Sequence, residues 1–112
     1  MAEASTMYEK IEMTGDIPLP RFGHTVTVIS KHKAILFGGA TGDAGKYTMT
    51  GDVYLLNTVK RCWIKLNSQG IVPSPRAAHA STAIEAMQMV VYGGATGGKN
   101  ADNWDGRWKY GV

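Results

Sequence analysis

The chain has 112 residues, a hydrophobic share of 44%, and twelve Lys and Arg against nine Asp and Glu. That leaves room for one domain around one core, and it excludes a second independent domain, a disordered chain and a membrane-embedded one. The net charge of +3 is spread from Lys10 to Lys109 with only Lys60 and Arg61 adjacent, so no basic stripe for nucleic acid forms.

Fourteen glycines, one residue in eight, exceed the usual share of roughly 7% without a Gly-X-Y period, which calls for many tight turns and an all-β fold. The first residues carry no basic n-region, and no apolar run reaches the length of a signal peptide or a membrane span. Cys62 is the only cysteine, which permits neither an internal disulfide nor a Cys-x-x-Cys zinc site and fits a reducing compartment. A cytoplasmic or nuclear location is expected.

In chain order, residues 7–11 read as a short strand, and Pro18 and Pro20 mark a connection. Residues 22–29 and 34–37 form a hairpin around the polar turn at 30–33, and Gly38-Gly39 stops its second strand. A polar loop at 41–50 leads to a third strand at 52–57, a turn at 58–61 and a fourth strand at 62–66. After a second loop at 67–74, a hairpin is expected from 78–84 and 89–92, stopped by Gly93-Gly94. No stretch of a dozen residues has helical apolar spacing.

These elements repeat. Gly38-Gly39-Ala40-Thr41-Gly42 recurs as Gly93-Gly94-Ala95-Thr96-Gly97, an offset of 55 residues. At the same offset, without a gap, Pro18, Pro20, Arg21, His24, Thr27 and Ile29 fall on Pro73, Pro75, Arg76, His79, Thr82 and Ile84, and Tyr8 falls on Trp63. The chain is two copies of one unit, each a meander of four antiparallel strands. A residue without Cβ after the second strand lets a ring or a backbone approach near the axis of a radial array, while Tyr54 and Trp63 fill the wider outer space.

The double glycine after an apolar strand, Asp52-x-Tyr54, and Trp63 six residues beyond Asn57 resemble a unit of the kelch family of β-propellers. The first unit matches throughout. The second departs after Gly98: Arg107-Trp108-Lys109-Tyr110-Gly111-Val112 stands where Asp-Val-Tyr-Leu-Leu-Asn should recur, so the repeat leaves its third strand open and its fourth is absent. The expected architecture is thus a kelch-type portion of about two blades, the second incomplete. Residues 1–21 carry the N-terminal strand and connection, 22–67 the first blade, 68–76 the inter-blade loop and 77–112 the second blade. In closed propellers of the family an N-terminal strand like 7–11 commonly completes the last blade. Two blades cannot close a ring, which implies either part of a longer protein or several copies associating through exposed blade faces.

The wording from Pro73 to His79, with Gly38 to Thr41, is further similar to the N-terminal kelch repeats of serine/threonine protein phosphatases with kelch-like domains. That resemblance spans roughly residues 7–98 and implies a phosphatase parent. The metal- and phosphate-binding motifs of such an enzyme, Gly-Asp-x-His-Gly and Gly-Asn-His-Glu among them, do not occur in this chain.

Arg21, His24, Arg76 and His79 recur at the repeat period and are expected to hold strand entries by hydrogen bonds, with Gly38, Gly39, Asp52, Tyr54, Trp63, Gly93 and Gly94 as the other signature positions. His24, His32 and His79 have no metal-binding spacing, and no Gly-Lys-Ser/Thr follows the glycines, so no catalytic residue, metal or cofactor is expected. Six methionines read as core filling. Partner recognition is expected on the loops where the repeats stop matching, with Asp43, Lys46 and Tyr47 on one and Gln69, Val72 and Ser74 on the other. Tyr47 leads as an aromatic contact, against the alternative of a plain solvated loop. The function expected is non-catalytic protein–protein interaction, regulatory or targeting for the parent. The rivals are a self-assembling structural protein and a copper radical oxidase of the galactose oxidase type, which would need a Cys–Tyr crosslink.

Overall fold

The computed structural model describes residues 8–43, 45–67, 73–85 and 88–96, together with the backbone of 107–109. Every regular element among them is a strand: β1 (Thr14–Gly15), β2 (Thr25–Ser30), β3 (Lys33–Phe37), β4 (Ala40–Asp43), β5 (Lys46–Met49), β6 (Val53–Asn57), β7 (Cys62–Lys65), β8 (Ala80–Glu85), β9 (Gln88–Tyr92) and β10 (Arg107–Lys109). The first sheet has the order β1-β7-β6-β3-β2, and its β2, β3, β6 and β7 form an antiparallel meander. The second sheet has the order β10-β9-β8, also antiparallel, and β4-β5 make a separate ribbon.

Alternation decides which way β2 faces. Thr27 and Ile29 are buried while Val26 and Val28 are exposed, as a period of two requires. Its neighbour β3 is apolar at four successive positions, Ala34 to Phe37, and all four are buried because both faces of this strand are covered. Across the ladder, Thr27, Ile35 and Leu55 share one face, as do Thr25, Phe37 and Val53. Onto that face the second sheet lays Met89 and Val91, and Ile29, Ile35, Phe37, Val53 and Leu55 close around them as the core. The chain thus buries one sheet on another, with β2 running beside β8 at the centre of the contact.

The turn between β6 and β7 is built by one side chain. Asn57 Oδ1 accepts from the amides of Val59 and Lys60 at 3.1 and 2.9 Å, and Arg61 completes the reversal at φ 55°. The neighbouring hairpin is tied to it where the Thr58 amide donates to the His32 carbonyl at 2.9 Å.

Two expectations change. Residues 8–11 form no strand; Met7 lies outside the described residues. The segment instead makes its contact at Thr14–Gly15, which pairs in parallel with Cys62 and Trp63 on β7. The 41–50 loop is a hairpin, β4–β5, in register Thr41 to Thr48 and Gly42 to Tyr47. The third strand that the repeat left open is β10, which pairs with β9 although its sequence departs from the repeat: Arg107 stands opposite Val90, the place that Leu55 holds opposite Ile35.

Candidate functional site

Of the repeat-related residues, Arg76 and His79 lie at the joint between the two sheets, and Arg21 holds the corresponding place within the first unit. Arg21 leaves the connection before β2, and its guanidinium donates to the carbonyls of Leu19 and Gly38, both at 3.1 Å, and to Thr50 Oγ1 at 3.3 Å. It pairs with Asp52 at 3.6 Å and lies 5.4 Å over the Tyr54 ring. Tyr54 in turn meets Trp63 edge-on at 6.4 Å, and Lys65 reaches Asp52 at 3.8 Å. A planar fork suits this position because one side chain must satisfy a carbonyl, a hydroxyl and a carboxylate in different directions.

Arg76 repeats the arrangement one unit later. It is fully buried and donates to the carbonyls of Ser74 at 3.1 Å and Gly93 at 3.0 Å, with Ser74 Oγ at 3.0 Å. Each arginine therefore binds the carbonyl two residues before it and the carbonyl of the first glycine of its own pair. Around Arg76 the backbone also crosses between the sheets: its amide donates to Thr50 O at 3.2 Å, and its carbonyl accepts from Gly39 at 2.8 Å.

His79 lies across that joint. Its Nε2 is 2.8 Å from Thr25 Oγ1, and its ring meets Phe37 edge-on at 5.1 Å. Burial, and after it the charge of Arg76, hold the imidazole below its ordinary value of 6.5, with the Phe37 backbone opposing and His24 adding a smaller push downward. Gly38 makes this approach feasible. At φ 75° it stands in the left-handed region, and a Cβ there would lie 2.7 Å from the Arg76 carbonyl and 2.8 Å from His79 Cε1. Gly39 closes instead on its own sheet, where a Cβ would press on His24 at 2.9 Å. In the second unit, Gly94 packs on the Ala77 carbonyl and His79 in the same way, while Gly93 has nothing within 4 Å among the described residues.

Two polar contacts at this joint have no motif to announce them. Thr25 meets His79, and Thr27 Oγ1 meets Ser81 Oγ. The available signal was the placing of threonines at the inward positions of β2 with valines outward, a choice that reserves hydroxyls for the buried side.

The expected recognition residues are not brought together. Asp43, Lys46 and Tyr47 sit at the end of the β4–β5 hairpin, where Asp43 pairs with Lys46 in register. Tyr47 is 52% exposed and meets Phe22 edge-on at 5.0 Å. Ser74 lies at the sheet joint, held against Arg76, and Gln69 and Val72 lie outside the described residues. Cys62 stands at the start of β7 opposite Asn57, and among the described residues no three His, Cys, Asp or Glu side chains gather as metal ligands would. Among the same residues no helix is long and apolar enough to cross a membrane.

The family described as the KLHDC2/KLHL20/DRC7 Kelch-repeats domain matches residues 3–107. The host cell factor homolog hcf-1 of Caenorhabditis elegans is 33% identical over 107 residues, 85% of this chain and 14% of its own length. The Rho GTPase-activating protein gacHH of Dictyostelium discoideum is 37% identical over 81 residues, 72% of this chain and 5% of its own. Tip elongation aberrant protein 1 of Schizosaccharomyces pombe is 31% identical over 91 residues, 81% of this chain and 8% of its own. The chain thus spans a small part of the relatives it matches, and none of these three is a phosphatase.

Proposed function

Because the chain belongs to the kelch-repeat family, we propose that it is a non-catalytic protein-interaction module that presents the β4–β5 hairpin to a protein partner. The observation that carries this reading is Tyr47, an aromatic side chain half exposed at the hairpin end and braced by Phe22. A ring held in this way loses little freedom on binding, and aromatic anchors dominate interface energies. Asp43 and Lys46 flank it with opposite charges that set orientation more than affinity. No cofactor enters this reading. A phosphatase parent gains no support from relatives whose names carry a host cell factor, a GTPase-activating protein and a tip-elongation protein, and it is not proposed.

The test is site-specific photo-crosslinking in cells of the source organism. A crosslinker at position 47 is expected to capture one defined protein, and Tyr47→Ala is expected to weaken binding of that protein about tenfold or more while the melting temperature stays within about 2 °C of wild type. Capture that is equal from position 47 and from Val59, on the unrelated β6–β7 turn, refutes the hairpin as the recognition element.

A further inference from the structure

The fold gathers cations that the sequence scatters. In the first sheet the β2–β3 turn and the β6–β7 turn lie side by side: Lys33 pairs with Asn57 in register, and the His32 carbonyl accepts from the Thr58 amide at 2.9 Å and the Thr58 hydroxyl at 3.2 Å. Lys31, Lys33, Lys60 and Arg61 therefore stand at one end of the sheet, all exposed except Lys33, which is half-buried. The topology brings two carboxylates to the same end, Glu12 ahead of the Thr14 pairing with Cys62, and Glu85 at the close of β8 beside β2. Among the described residues neither of them lies within ion-pair distance of these four cations, and the ion pairs formed there involve Asp52 instead.

Nothing in the repeat asks for these charges. At the offset of 55 residues Lys31 and Lys33 fall on Ala86 and Gln88, and Lys60 and Arg61 match Ser5 and Thr6. The β6–β7 reversal is made by the Asn57 side chain, not by the cations. Arg61 adds an independent observation: its φ of 55° lies in the left-handed region, where a glycine stands without cost and an arginine does not. A charged side chain kept in a strained backbone position and left outside any ion pair points to a use beyond the fold.

We propose that this end of the first sheet binds an acidic segment of a protein partner. From β2 to β7 the sheet spans three strand spacings, roughly 14 Å, which is the reach of about four residues of extended peptide. Val59 stands 63% exposed beside Lys60 and gives such a segment an apolar contact within the cationic rim. Nucleic acid is the poorer fit, because neither turn carries an aromatic side chain on which a base could stack. The patch lies at the end of β3 opposite to the β4–β5 hairpin, so its occupant is separate from the one proposed there and either reading can fail alone.

Fluorescence anisotropy of the whole chain with a labelled peptide, Glu-Asp-Glu-Leu-Asp-Glu, at low ionic strength tests this. Saturable binding is expected, and none to the neutral analogue with Gln and Asn in place of Glu and Asp. Lys31→Gln and Lys60→Gln are each expected to weaken the acidic peptide about two- to fivefold. Asn67→Asp makes the same change in net charge beyond the far end of β7 and is expected to leave the affinity within about 1.3-fold of wild type. Arg61→Gly is expected to weaken the peptide as well while raising the melting temperature by about 2–4 °C, since it relieves the backbone and removes the charge. Circular dichroism and melting establish that each variant folds. The proposal is overturned by an absence of saturable binding, by an Arg61→Gly variant that binds as wild type does, or by an equal loss in Asn67→Asp, which would mean general attraction to a basic protein. A 20-base-pair duplex or phosphatidylserine vesicles held more tightly than the peptide, with the loss in the same lysine variants, would also overturn it and assign the patch to nucleic acid or to a membrane surface.

Discussion

Gly38 and Gly93 form an internal control for what the sheet joint contributes. Their backbone angles are φ 75° and 74°, so an alanine at either place meets the same left-handed penalty of about 1–2 kcal/mol, only partly offset by the smaller loss of freedom in the unfolded chain. The surroundings differ. At Gly38 the new Cβ would stand 2.7 Å from the Arg76 backbone carbonyl, which cannot swing aside as a side-chain tip can, while at Gly93 it meets no described residue within 4 Å. Overpacking of this kind costs about 1–3 kcal/mol beyond the backbone effect. Gly38→Ala is therefore expected to lower stability by about 2–4 kcal/mol and Gly93→Ala by about 1 kcal/mol. Urea unfolding followed by circular dichroism reads the difference as a midpoint separation of about 1 M, for a slope of about 1–2 kcal/mol per molar. Coincident midpoints would refute the reasoning, because they would mean that the joint tolerates a methyl group where a carbonyl and an imidazole now touch Gly38.

Acid should loosen the same joint. His79 is held neutral, its folded value below 6.5, so the unfolded chain binds the extra proton and stability is fully present above pH 6.5 and is lost as pH falls toward the folded value. The free energy of unfolding, read by urea titration at each pH, is expected to drop over that window with a slope of at most about 1.4 kcal/mol per pH unit, and His79→Gln should flatten it. Arg21→Lys keeps the charge and loses the fork that reaches Gly38 and Thr50 together, so a loss of about 1–3 kcal/mol in urea unfolding is expected despite the conserved ion-pair sign. Asn57→Ala removes both acceptor contacts of the β6–β7 turn and should cost about 1 kcal/mol, whereas Asn57→Asp, which keeps the acceptor, should cost less.

Much of the architecture was legible because it is local or repeated. The apolar run from Ala34 to Phe37, the glycines after it and the offset of 55 residues led to the paired hairpins, and the same arithmetic singled out Arg21, which braces the first unit, and Arg76 and His79, which lie at the sheet joint. What escaped was pairing between distant segments. Thr14–Gly15 has no strand character of its own and is a strand only because the edge of β7 is there to receive it. Residues 8–11 have more strand character and form no strand. The β4–β5 ribbon was hidden by its polar, glycine-rich composition, and the short β10 by a sequence unlike its counterpart in the first unit, although β9 accepts it by backbone alone. Within the candidate site, Thr25 and Thr27 were hidden because a threonine on a strand reads first as a β-former and only in three dimensions as a hydroxyl aimed at the other sheet.

The parallel contact of Thr14–Gly15 with β7 has a bearing on solubility. An outer strand such as Cys62–Lys65 would otherwise present unpaired amides and carbonyls along a sheet edge, an invitation to intermolecular β-pairing. Here the Thr14 and Asp16 amides take the carbonyls of Arg61 and Trp63, and the Asp16 carboxylate takes the Lys65 amide at 2.9 Å. Two residues of strand and one aspartate thus act as a guard against aggregation along β7, so shortening the chain from its N-terminus past Asp16 would cost it colloidal stability before it cost it its core.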